Sequence, residues 1–232
     1  MFDDFYNDGA AIYKESAARI AKAVDLNRWS QPLERWVVER VVHSAADPAL
    51  AEMLFFAPQA AEKIAAALQR GGALLCDSQM TLHGLVSCTN KKICLVDDSA
   101  THRLAAEKKI TRSLAQIYRW QALLSPDVLA QSVVVIGNAP TCLYGLLQSW
   151  RGVGQESLSS SPDSLSPPSL AVAGVIAMPV GMVGAAESKQ TLVTSWQADN
   201  QSVPPFITLM GPRGGSSLAA ATANALLTRG GL

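Results

Sequence analysis

Charged residues are scarce in this chain of 232 residues: they make up 16% of it, and the 19 basic side chains cancel the 19 acidic ones. Without a net positive field, the attraction that underlies non-specific nucleic-acid binding is missing. Histidine is scarcer still, at three, and the four cysteines (Cys76, Cys88, Cys94, Cys142) form no C-x-x-C pair. That spacing argues against a zinc knot or a disulfide framework and suits a reducing cytoplasm. No H-E-x-x-H, G-x-S-x-G or G-x-x-x-x-G-K-[ST] occurs, so zinc-peptidase, acyl-serine and P-loop chemistry lose support. GVGQES begins like a dinucleotide fingerprint but lacks its third glycine. The acidic start MFDDFYNDGA does not have the layout of a secretory signal. An uncharged run from Leu170 to Ala186 is interrupted at Pro179, Gly181 and Gly184, so a buried strand and loop are expected there and no membrane span.

Apolar residues make up 49% of the chain, enough for one sizeable core, and a single domain over residues 1–232 is expected. Gly9 to Val24 places Ile12, Ser16, Ala17, Ile20 and Ala23 on one helical face. Gln31 to His43 does the same with Leu33, Trp36, Val37, Arg40 and Val41, and Pro58 opens an alanine-rich helix that stops at Gly71 and Gly72. Five apolar runs read as strands: Ala73 to Asp77, Lys91 to Asp98, then VVVIG, AGVIAM and FITLM. Alternation with helices predicts a doubly wound parallel sheet in a three-layer α/β/α domain, with extra helices at the N-terminus. Residues 152–169 are rich in Ser and Pro and predict a mobile surface insertion.

Three segments share the order strand, glycine loop, helix: VVVIGNAPT, AGVIAMPVGMVGAAESK and FITLMGPRGGSS. Such loops meet along the C-terminal edge of a parallel sheet, where glycine lets backbone N–H groups approach an anion. Gly137, Asn138, Ala139, Pro140, Pro179, Gly181, Gly184, Gly214 and Gly215 are therefore candidate binding residues. Glu187 and Ser188 fall in the first helical turn after the second loop, where they either cap it or meet a ligand. Arg40, Arg112 and Arg213 can each offer a fork of donors to a carboxylate or serve as surface ion pairs. His43 lies at a helix end one turn after Arg40; it is either an acid/base group or a cap on free carbonyls. His83, two residues beyond Thr81 in the segment after Ala73 to Asp77, either bonds to its own loop or reaches the sheet edge. His102, among Asp97, Asp98 and Arg103, is expected to be a solvated surface residue.

Taken in order, GAAIYKES, ERVVHSAAD, ALLCDSQMTLHG, ITRSLA, VVVIGNAPTCL, GVIAMPVGMVGAAESK and GPRGGSS resemble the precorrin-8X methylmutase (precorrin isomerase) family from about Tyr6 to the C-terminus. The resemblance implies a flavodoxin-like fold of about five parallel strands and a homodimer with its site near the interface. The implied reaction is a methyl shift from C-11 to C-12 on precorrin-8X or cobalt-precorrin-8, giving hydrogenobyrinate or cobyrinate. It implies no external cofactor. His43 matches the family's acid/base histidine, which protonates or hydrogen-bonds ring C; Ser16 and Arg40 match substrate contacts. Thr81, His83 and Arg112 fall in the matching segments. Three positions depart from the family pattern: Ala17 stands where an aromatic is common, Pro212 where the last loop usually has arginine, and Lys109 where a glycine often precedes T-R-S.

A macrocycle ringed with carboxylates requires an apolar floor, backbone donors, hydroxyls and a few arginines. Two other readings compete: a corrinoid carrier that performs no chemistry, and a flavodoxin-like binder of FMN or another nucleotide.

Overall fold

The computed structural model describes residues 8–86, 88–151 and 169–228. Its centre is a six-stranded sheet: β1 (Leu54–Phe56), β2 (Leu74–Cys76), β3 (Lys92–Ile93), β4 (Val133–Ile136), β5 (Gly174–Ala177) and β6 (Phe206–Leu209), in the spatial order β1-β6-β5-β4-β2-β3. All pairs are parallel except β1 with β6. The five parallel strands thus follow the order 2-1-3-4-5, a doubly wound arrangement that flavodoxin also has. β4, β5 and β6 are buried along their whole length, which is why they read as unbroken apolar runs without alternation. Each large aliphatic side chain sequestered there contributes about 1.5–3 kcal/mol.

Helices cover both faces. α2 (Pro32–Ala45), α4 (Ala60–Gln69), α5 (Gln79–Gly84) and α11 (Ser216–Thr228) pack as one layer, with α1 (Gly9–Ala23) outside on α2. α7 (Arg112–Leu123), α9 (Pro140–Arg151) and α10 (Ala185–Ala198) form the opposite layer. α3 (Leu50–Met53), α6 (Ser99–Lys108) and α8 (Pro126–Gln131) are shorter or peripheral pieces. α1 begins at Asp8, whose carboxylate accepts the Ala10 N–H at 2.9 Å, and α2 opens with Pro32 at its first position.

Two elements differ from the sequence reading. The strand expected over Lys91 to Asp98 is limited to Lys92–Ile93, because the chain then turns away from the ladder: the Leu95 N–H goes to the Gln116 side chain at 3.2 Å and the Leu95 carbonyl closes a turn with Asp98. The sixth strand, β1, has no turn signals and follows a helical stretch. It is placed by tertiary contacts, with Phe55 stacked on Phe206 (centroids 5.6 Å apart) and edge-on to Trp196. All but the last residue of the Ser/Pro segment 152–169 lies outside the described residues.

Candidate active site

The direction of strand succession reverses between β2 and β4, and there Asp77 closes β2 with a fully buried carboxylate. That carboxylate accepts the N–H groups of Gly137 (3.0 Å), Asn138 (2.7 Å) and Ala139 (2.7 Å) and the Thr81 hydroxyl at 3.1 Å. The expectation that this loop presents its N–H groups to an anionic ligand is thereby corrected: the protein's own anion already fills the nest. Of the loop, the Asn138 side chain is exposed and Pro140 half-buried. Gly137 has a packing reason too. A β-carbon there would sit 2.5 Å from Ser216 Cα and 2.6 Å from the Thr81 hydroxyl, so its absence lets the start of α11 dock. Ser78, Thr81 and Ser216 share a cluster of hydroxyls, 2.9 to 3.2 Å apart.

The loops after β5 and β6 grip one another. Gly215 N–H donates to Met178 (2.9 Å), Gly181 N–H donates to Pro212 (3.2 Å), and a side chain at Gly214 would run into the carbonyls of Met178 and Pro179. Lys189, fully buried, reaches up from α10 and donates to the carbonyls of Pro179 (3.0 Å) and Arg213 (2.6 Å). Burial pulls its amine down to about 8. Ser188 is also fully buried and donates to the Ala185 carbonyl of its own helix, which corrects its place among ligand contacts: it packs and bonds back to its own turn, and α10 has no side-chain cap. Glu187 is exposed in the first turn. Between Gly181 and Gly184, Met182 and Val183 stand 93% and 86% exposed, an apolar tip at the mouth of the sheet.

A second group forms where α1 crosses the end of α2. His43 Nδ1 lies 2.7 Å from the Ser16 hydroxyl, which fixes the ring's orientation. Its ring is 5.3 Å from that of Tyr13, and the Arg40 guanidinium lies 5.3 Å from the Tyr13 centroid and 5.8 Å from that of Trp36. The capping alternative for His43 is thus displaced by a side-chain partner. Tyr13 donates to Glu39 at 2.6 Å, and burial, helped by that carboxylate, raises its hydroxyl to about 12. A cleft of about 420 Å³ opens beside the ring, lined by Gly9, Ala10, Ile12, Tyr13 and His43. Sequence reading singled out Ser16, Arg40 and His43 but missed Tyr13 and Glu39. Tyr13 precedes Ser16 by three residues and Glu39 precedes His43 by four, the helical spacings that would have grouped them.

The two groups are linked: Arg213, on the β6 loop, pairs with Asp47, four residues after His43. Burying no charge, this pair places the loop and the end of α2 side by side. Arg112 is half-exposed and engaged with Asp97 (3.2 Å) and His102 (3.2 Å), beside the Thr111–Thr141 hydroxyl bond that joins α7 to α9. His83 is exposed on α5.

The precorrin-8X methylmutase family model matches residues 11–229, nearly the whole chain. The chain belongs to the precorrin-8X methylmutase family. This is an isomerase family whose members carry out a methyl shift in cobalamin biosynthesis. The chain is 37% identical to the precorrin-8X methylmutase of Sinorhizobium sp, with 98% of each chain covered, and 37% identical to that of Pseudomonas aeruginosa, with 97% and 98% covered. It is 31% identical to the cobalt-precorrin-8 methylmutase of Salmonella typhimurium, with 86% and 83% covered. Among solved structures, precorrin-8X methylmutase from Thermus thermophilus superposes with a TM-score of 0.71 at 25% identity, covering 96% of this chain and 100% of that one. The relatives' names give no support to a carrier without chemistry. Among the described residues no helix is long and apolar enough to cross a membrane.

Proposed function

We propose that this isomerase acts on precorrin-8X or its cobalt form with His43 as the acid. The observation that carries this reading is the 2.7 Å contact between Ser16 and His43 Nδ1 beside an open cleft. With the serine hydroxyl donating to Nδ1, the ring's own proton sits on Nε2, available to a ring C nitrogen. A methyl group then leaves C-11 and bonds to C-12 with no atom gained or lost, so the protein supplies orientation and one hydrogen bond or proton. It needs no nucleophile and no external cofactor for that step.

Arg40, held between Tyr13 and Trp36, is proposed to receive a substrate carboxylate near the histidine. His83, Arg112, Asn138, Pro140, Glu187 and the apolar tip around Gly181 and Gly184 ring the macrocycle further out. A corrinoid with acetate and propionate arms exceeds the cleft at His43, and Met80, Met182 and Val183 leave apolar surface uncovered. Both facts support a homodimer that completes the site. Four free cysteines fit a reducing cytoplasm.

The test is conversion of purified precorrin-8X, with and without cobalt, followed by the colour change of the macrocycle. His43→Ala is expected to fold and bind corrinoid yet leave its spectrum unconverted; normal turnover by that variant would refute the acid role.

A further inference from the structure

Lys189 is a buried cation whose lowered affinity for its proton comes from burial alone, with no carboxylate offsetting it. Charged groups near it are accounted for elsewhere: Glu187 is on the exposed side of α10, and Arg213 is paired with Asp47. On the neighbouring α9, Tyr144 holds its proton more tightly, through burial first and the Glu187 charge second. A buried ammonium without a counter-charge is costly, and an apolar side chain would fill the space at less expense. What it does is hold two loops. It donates to the carbonyl of Arg213 at 2.6 Å, and since the Arg213–Gly214 peptide is trans, the Gly214 N–H points away from the lysine. That N–H has no hydrogen-bond partner among the described residues.

We propose that Lys189 is a positioning residue that acts through the Arg213–Gly214 peptide: it holds and polarises that peptide so that Gly214 N–H receives a carboxylate of the substrate. The inference rests on the corrinoid reading above and extends it to one arm of the macrocycle. Charge below the peptide and a free donor above it form a relay from a cation to an anion that never touch. Ammonium and carboxylate attract through the low-dielectric loops, and the attraction vanishes when the lysine loses its proton.

The experiment measures KM and kcat for precorrin-8X from pH 6.5 to 9.5 with the full chain, Lys189→Met and Lys189→Gln, the latter keeping an N–H donor without the charge. KM of the unaltered protein is expected to rise about tenfold as pH passes 8 and beyond, with kcat nearly constant. Both variants are expected to show the raised KM already at pH 7 and no step. A flat KM in the unaltered protein overturns the inference even where the variants fail to fold. So does a variant that loses kcat at unchanged KM, or Lys189→Gln keeping the low KM of the unaltered protein at pH 7. An unaltered protein that does not convert precorrin-8X at all brings down the corrinoid reading, and this inference with it.

Discussion

Ser16 and His43 meet at 2.7 Å across the crossing of α1 and α2, two helices joined by a short 3₁₀ turn at Leu26–Arg28. The contact is long-range in sequence and short in space, so the packing of α1 on α2 fixes the orientation of the His43 ring. Its loss should therefore be felt in turnover before it is felt in stability.

Ser16→Ala is expected to lower kcat by about 10- to 100-fold, against roughly 10²- to 10⁴-fold for His43→Ala, with both variants keeping the melting temperature within a few degrees. Steady-state conversion of the corrinoid beside a thermal melt checks this. Equal losses in the two variants would mean that the serine does more than orient.

Tyr13 holds its proton more tightly when folded, about 12 against 10.0 in the free phenol, through burial first and Glu39 second. A raised folded value means stability that is complete below pH 10 and drains away as pH rises through 12. Tyr13→Phe should remove one late-titrating phenol from the ultraviolet absorbance profile and flatten stability in that window. An unchanged profile would refute the assignment.

Asp77→Asn should be severe although the side chain keeps its shape. One of the two carboxylate oxygens becomes an NH₂ facing backbone N–H groups, so either the Gly137 donor, which uses Oδ1, or the Asn138 and Ala139 donors, which share Oδ2, lose their acceptor. A loss of about 3 kcal/mol is expected, read as a melting temperature about 6–12 °C lower.

Lys109 ends α6 in the left-handed conformation at φ 53°, a backbone state that suits glycine. Lys109→Gly should stabilise the protein by about 1 kcal/mol, raise the melting point by about 2–4 °C and leave kcat and KM unchanged. A lower melting point would show that the lysine side chain contributes more than its backbone costs.

The alternation of strands and helices was legible because buried parallel strands write themselves as apolar runs between glycines, as in VVVIG and FITLM. β1 was hidden because three residues, Leu54 to Phe56, carry no periodicity of their own and are recruited by Phe206 and Trp196. Ser16, Arg40 and His43 were legible through the resemblance to a family; helical spacing groups Arg40 with His43, whereas Ser16 reaches them only through the packing of α1 on α2. The role of the GNAP loop was misread from the same letters: glycine signals close approach, but the sequence does not say of what, and the partner is Asp77, 60 residues away. Lys189 was visible as part of the AAESK run, yet burial of a lysine is decided by packing and not by its neighbours in the chain.

β1 also bears on how the histidine is held. Residues 9–56 leave α2, pass α3 and end as an antiparallel strand hydrogen-bonded to β6, so the segment bearing His43 clasps the outer margin of the sheet. It is a fastening as much as an arm. A shortened chain beginning after Pro58 would lose His43 and also uncover the unpaired backbone of β6 beside the Phe206 ring, turning the sheet's border into a template for self-association.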